Sequence, residues 1–313
     1  ILSSFSDDKT SFSLDFNSIN GKNQINFKHT VDLENRSVFS FSKISFDYNN
    51  NKWDLDWSDE TNRNKLILSE NYKELKPTRI KSKKQIIEFT YLNKEGQFDF
   101  ESIFDNVGFS SIIPKPKNIL YEGLVNGKIS LKKYGEVYSS QSSLKLSDFS
   151  ANQYIIGDAF ININNSESRD KYDLDIKIVK NENNIFEVDG SFLIDDDDYP
   201  IDLNVKSKNF DIKPFSAIGE NVLQNFEGYF NSKFKVSGTF FEPFFDGYIK
   251  ANNSSFDVPY LGVRYAFPSN PSFKLSGMSI YINNFKLQDS SKKTEGILTG
   301  QINHKRLKDW FLD

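Results

Sequence analysis

Residues 37–57 read SVFSFSKISFDYNNNKWDLDW. Phe39 and Phe41 alternate with serines, and Ile44, Phe46 and Tyr48 continue the alternation in the opposite phase. After Asn49 to Asn51, the residues Trp53, Leu55 and Trp57 alternate with Asp54 and Asp56. A period of two sends successive side chains to opposite faces of an extended chain, so each run has one dry edge and one wet edge. The asparagines mark a turn between the runs. Strands of this one-sided kind belong to antiparallel sheets that pack one face and expose the other to water.

The pattern continues in both directions. Phe12, Leu14 and Phe16 alternate near the start. Farther on, Ile129 and Leu131, Ile161 and Ile163, Leu174, Ile176 and Ile178, Leu203 and Val205, and Phe234 and Val236 do the same. Ser, Asn, Asp and Lys fill most of the positions between them. Turn signals recur at short intervals: NKEG at Asn93 to Gly96, NEN at Asn181 to Asn183, and DDDDYP at Asp195 to Pro200. The sequence therefore predicts an all-β, antiparallel-rich chain.

Two stretches carry helical spacing instead. Pro214 to Phe226 sets Phe215, Ile218, Val222, Leu223 and Phe226 near a helical period, with a proline suited to a helix start. Phe100 to Val107 has a weaker pattern of the same sort. Their surroundings match. FDFESIF from Phe98 precedes YEGLVNGKISL from Tyr121, and FDIKPFSAI from Phe210 precedes FEGYFNSKFKVSG from Phe226. Both read as a strand ending in Phe-Asp, a helical linker, then Glu-Gly and a new strand. Gly123 corresponds to Gly228, Asn126 to Asn231, Lys128 to Lys233 and Leu131 to Val236. A degenerate internal repeat follows, with units 1–97, 98–209 and 210–313 inside one continuous segment 1–313.

Composition narrows the function. With 39 Lys and Arg against 43 Asp and Glu, the net charge is −4, without the basic surplus of a nucleic-acid binder. The absence of Cys removes disulfides, thiolate metal sites and Cys nucleophiles. No run of apolar residues is long enough for a membrane-spanning helix. The chain opens on Ile1 and reads as a piece of a longer protein, with any anchor or signal expected outside it. Hydrophobic residues make up only 37% of the chain, yet 30 are Phe. That is too aromatic for a disordered chain and too polar for an ordinary closed core.

Few residues invite chemistry. Asp195 to Asp198 supply hard oxygen ligands but lack the spacing of a calcium loop, so a solvated hairpin tip is the stronger reading. His29 and His304, the two histidines, sit alone at strand positions and read as structural. No nucleophile elbow, phosphate-cradling Gly loop or H-E-x-x-H is present, and nothing singles out a catalytic pair among the 43 carboxylates. The expectation is a non-enzymatic protein with no cofactor, no catalytic residue and no metal site. The apolar stripes have two readings, a closed β-sandwich core or the lining of an open groove. The low apolar fraction favours the groove. Its lining is expected from Phe39, Phe41, Phe46, Leu55, Ile129, Leu131, Ile161, Ile163, Leu174, Ile176, Leu203, Val205, Phe234 and Val236.

The C-terminal third resembles the TamB family, the translocation and assembly module component related to AsmA-like proteins. After FDIKPF and the linker, the family pattern of a strand ending in Ser-Gly-Thr, a nearby Pro and a Gly in the next strand is met by Ser237, Gly238, Thr239, Pro243 and Gly247. An Asn-rich turn at Asn252 and Asn253 follows, then Val258, Tyr260, Leu261, Gly262 and Tyr265. The closing pattern is met by Asp289, Gly300, Ile302, His304, Asp309 and Trp310. The turn after Asp289 departs from the family, and the N-terminal two-thirds agree only in style. The resemblance implies an elongated sheet curled into an apolar trough, a β-taco, with short helical linkers. It implies a periplasmic protein of a Gram-negative bacterium, held in the inner membrane by an anchor outside this segment. Its implied partners are phospholipid and a TamA-type outer-membrane β-barrel, and its implied work is phospholipid transport or outer-membrane protein assembly. The alternative kept beside it is a closed all-β module of adhesin or surface-layer type.

Overall fold

The structure is a computed structural model that describes the chain apart from residues 1, 7–8, 19–20, 57–61, 115–118, 136, 166–170, 194–199, 220–222, 293, 306–308 and 313. It is all-β, built on antiparallel ladders, with one four-residue α-helix among the described residues, α1 (Phe109–Ile112). The chain divides into two compact units, Ile1–Lys115 with Gly123–Leu146, and Pro116–Glu122 with Ser147–Asp313.

In the first unit β1 (Leu2–Ser6), β2 (Lys9–Ser18), β3 (Gly21–Val31) and β4 (Ser37–Tyr48) pair in sequence order. The next strand position is filled by two short strands end to end, β5 (Asn51–Leu55) and β6 (Lys65–Ser69). Both pair with β4 on one side and with β7 (Tyr72–Ser82) on the other. Then come β8 (Gln85–Lys94), β9 (Gln97–Gly108) and β10 (Tyr121–Tyr134), again as antiparallel neighbours, and β11 (Val137–Ala151); the first two residues of β10 and the last five of β11 count with the second unit.

In the second unit β12 (Tyr154–Asn165), β13 (Lys171–Lys180), β14 (Asn183–Leu193), β15 (Pro200–Asp211), β16 (Gln224–Thr239) and β17 (Pro243–Val258) pair consecutively. Two short strands again share one position, β18 (Val263–Ala266) and β19 (Ser272–Gly277), between β17 and β20 (Ser279–Asp289). Strands β21 (Glu295–Lys305) and β22 (Asp309–Leu312) complete the ladder.

Turn chemistry fixes the hairpins. Asn49 and Asn50 have φ of 49° and 63°, and Asn181 and Glu182 have 49° and 65°. Two consecutive left-handed residues make the tight turn whose twist matches a hairpin, and Asn tolerates that conformation best after Gly. The phase change at Phe41 also has a cause. Phe27 faces Phe41 and Ile25 faces Ile44, so Ser42 and Lys43 together oppose Asn26 in a β-bulge. The extra residue returns Ile44 and Phe46 to the face of Phe39 and Phe41.

The predicted helix at Phe100 to Val107 is strand β9. Its helix-like spacing arises from another bulge, where Asp105 and Asn106 oppose Asn126 and restore Val107 to the face of Phe104. Residues 105 and 106 thus turn a period of two into a step of three. The helix lies just after, at α1. Of the predicted helix at Pro214 to Phe226, the part up to Gly219 lies in a 3₁₀ segment, Lys213–Gly219, and Phe226 belongs to β16; Val222, with residues 220 and 221, lies outside the described residues. In the repeat comparison, Phe98-Asp99 opens β9 whereas Phe210-Asp211 closes β15. The structural counterparts are the bulges: Asn106 (φ 52°) donates its amide to Asn126 Oδ1 at 2.9 Å, and Asn209 (φ 50°) donates to Asn231 Oδ1 at 2.6 Å. Asn252 and Asn253 are not a turn but lie inside β17, where Asn253 has φ 48° and donates to Asn270 Oδ1 at 3.2 Å.

Candidate functional site

The ladder registers sort the second unit into two faces. One row runs Ile161, Ile176, Val188, Val205, Phe234, Gly247, Leu275, Ile280, Ile302, each residue directly opposite the next across nine strands. The row one residue along runs Asn162, Asp175, Asp189, Asn204, Lys235, Asp246, Ser276, Ser279, Asn303. Directly opposed residues in an antiparallel pair share a face and adjacent residues do not. Along these rows one face is therefore apolar and the other polar. A second apolar row, Ile163, Leu174, Gly190, Leu203, Val236, Phe245, lies beside the first.

Glycine appears in these rows where strands come close. Gly190 and Gly247 have φ of 152° and 145°, and a Cβ on either would run into the backbone of the facing strand, at Asp202 and Leu203 or at Lys233 and Phe234. The gaps left by the missing side chains are flanked by bulky neighbours, and Phe234 and Phe245 meet edge to face at 6.0 Å around Gly247.

The first unit has the same division. His29, Phe39, Leu66, Leu75, Tyr91, Phe100 and Leu131 form one continuous row, and Leu55, Ile80, Ile87 and Phe104 another on the same face. Phe41 shares that face with Phe39, the bulge at Ser42 and Lys43 brings Phe46 to it, and Ile129 shares it with Leu131. The expected lining residues thus fall on one face in each unit. Those of the second unit meet as a cluster: Val188, Ile201, Val205 and Val236 are buried, with Leu174, Ile176, Leu203 and Phe234 packed against them. Phe186, Phe192 and Phe245 belong to the same cluster but were missed in the sequence; for Phe192 the cause is Gly190, which interrupts the alternation after Val188.

The face is incompletely covered. Among the described residues, Phe285 is the one phenylalanine that is buried; the others are half-buried or exposed. The opposite face carries exposed or half-exposed ion pairs such as Lys235–Asp202 at 2.9 Å, Lys206–Asp189 at 3.6 Å and Arg79–Glu88 at 2.8 Å. Pairs of this kind contribute about 0–1 kcal/mol each and mainly keep that face wet.

Several titratable groups take part in local contacts. Tyr72 donates its hydroxyl to Glu74 Oε2 at 2.6 Å, and burial with that bond pushes the phenol up to about 12. Asp289 caps a turn, accepting from Ser291 N and Oγ at 2.7 Å and from Lys292 N at 3.1 Å, and these bonds hold its carboxyl below the usual range. His304 is buried on the apolar face, edge to face with Phe245 at 5.4 Å, and burial lowers its pKa. His29 lies against Phe39 at 4.9 Å. No three potential ligands gather as a metal site among the described residues, and Asp195 to Asp198 lie outside those residues. Among the described residues no helix is long and apolar enough to cross a membrane. Comparison with known protein families, curated proteins and solved structures finds no match.

Proposed function

We propose that the protein carries phospholipid acyl chains on the apolar face of its sheet, without catalysing a reaction, in cell-envelope biogenesis of the TamB type. The observation that carries this reading is the set of incompletely buried Phe residues on the apolar face of each unit. An acyl chain laid there gains about 0.8 kcal/mol for each methylene removed from water. A headgroup at the strand ends stays hydrated. The recurring bulges support a sheet curled into a trough, because an extra residue on one strand bends it and increases the local twist. The periplasmic location, the inner-membrane anchor outside this segment and the TamA-type barrel partner rest on the resemblance of the C-terminal third to that family. Assistance to outer-membrane protein assembly belongs to the same proposal.

The test is mass spectrometry of lipid extracted from the purified chain. Stoichiometric phospholipid supports the reading, and lipid-free protein that takes up none from vesicles refutes it.

A second reading, a closed all-β binding module, draws on Val205, Val236 and Leu275, which are 7%, 8% and 3% exposed. Lipid-free protein with a compact scattering profile would favour it.

A further inference from the structure

We propose that Lys213–Gly219 is a strap across one margin of the apolar face in the second unit, held shut by Asn152, and that its release admits the acyl chain. The proposal rests on the lipid reading above. It starts from where the segment lies. Phe215 stacks on Phe210 at 5.9 Å, and Phe210 meets Phe186 at 5.6 Å. Phe186 belongs to the apolar face through its register with Ile178 and Ser207. The bulge at Asn209 returns Phe210 to that face opposite Phe230. The strap therefore leaves the end of β15 and turns back over the dry side.

Its tether comes from far off in sequence. Asn152 Nδ2 donates to the Pro214 carbonyl at 3.0 Å across 62 residues. Lys213 Nζ lies 5.3 Å above the Tyr154 ring, a second contact to the same region. Inside the strap, Asp211 Oδ1 accepts from Lys213 N at 2.9 Å and Ser216 Oγ donates to the Lys213 carbonyl at 2.6 Å. A short 3₁₀ segment has poor hydrogen-bond geometry of its own, so its position depends on such tethers.

The same device stands in the first unit. There α1 follows the Asn106 bulge, as the strap follows the Asn209 bulge. Asn49 Nδ2 donates to the Ser110 and Ile113 carbonyls at 3.2 and 2.7 Å, and Asn51 Nδ2 donates to Ser111 Oγ at 3.0 Å. Asn49 and Asn152 both hold left-handed backbone, φ 49° and 51°. Two units have thus tethered a short helical segment after a bulged strand by an asparagine in the same conformation. One tether is a packing detail. Its recurrence on a sheet face otherwise left half-covered points to a shared task.

The experiment uses the whole 313-residue chain, which has no Cys of its own. Tyr154→Cys with Lys213→Cys, joined by a short thiol-reactive linker that reductant cleaves, locks the strap and leaves the Asn152 tether in place. Loading of a fluorescent phosphatidylcholine from phosphatidylcholine vesicles is followed in the locked and released states. The strap predicts that locking blocks loading and cleavage restores it. Asn152→Asp keeps the acceptor for Leu120 N but removes the donor to Pro214. It is expected to speed loading about fivefold, the shift that losing one hydrogen bond produces. Equal loading in locked, released and Asn152→Asp chains overturns the strap and leaves the lipid reading standing. No loading in any state, wild type included, overturns both.

Discussion

Asn209 adopts φ 50° near the end of β15 and donates its backbone amide to Asn231 Oδ1 of the neighbouring strand at 2.6 Å. The bond and the backbone conformation depend on each other. Left-handed backbone costs a residue with a Cβ about 1–2 kcal/mol, and Asn offsets part of that through local polar contacts. Asn209→Val is therefore expected to lower stability by about 1–2 kcal/mol, whereas Asn209→Gly stays near wild type. Urea unfolding of the two variants decides it; equal loss in both would contradict the account.

Gly247 makes a stricter demand, because a Cβ there meets the backbone of the neighbouring strand at Lys233 and Phe234. Gly247→Ala is expected to cost roughly 1–3 kcal/mol, as strained backbone does. Gly96 has φ 68° with open space around its Cβ position, so Gly96→Asn serves as the tolerated control. Thermal melts of the pair are the measurement.

His304 sets a pH dependence. Burial lowers its pKa, so the unfolded chain binds its proton more readily than the folded one. Stability from this group is complete above the ordinary His value near 6.5 and declines as pH falls from there toward the lowered folded value. The slope is at most about 1.4 kcal/mol per pH unit. Unfolding midpoints at pH 7.5 and 5.5, compared between wild type and His304→Leu, should show a smaller drop in the variant.

Phe234 and Val236 separate lipid handling from folding. Val236 is 8% exposed within the buried cluster, so Val236→Asp buries an unpaired charge and is expected to unfold the second unit. Phe234 is only half-buried. Phe234→Asp should keep the circular dichroism of the sheet while cutting lipid transfer between vesicles severalfold. Unchanged transfer would count against the groove.

Much of this architecture is legible in the sequence because alternation is a local signal. Leu174-Asp175-Ile176 or Leu203-Asn204-Val205 assigns a strand and its dry face at once. What escaped is the bulge. Asn106 and Asn209 each insert one residue, so Phe104 and Val107 stand three apart and read as helix. The phase change between Phe41 and Ile44 was visible, but its meaning required the register across β3. Long-range tethers such as Asn152 to Pro214 leave no local trace, since each residue has an ordinary local explanation.

The most direct test of the central claim compares two neighbours in β16. A photo-crosslinking phenylalanine analogue is placed at Phe234, on the apolar face, or at Lys235, on the polar face. After irradiation of the chain in the presence of phospholipid, mass spectrometry reads the adducts. The account predicts phospholipid attached at position 234 and not at 235. Equal labelling at both positions, or none at 234, would contradict it.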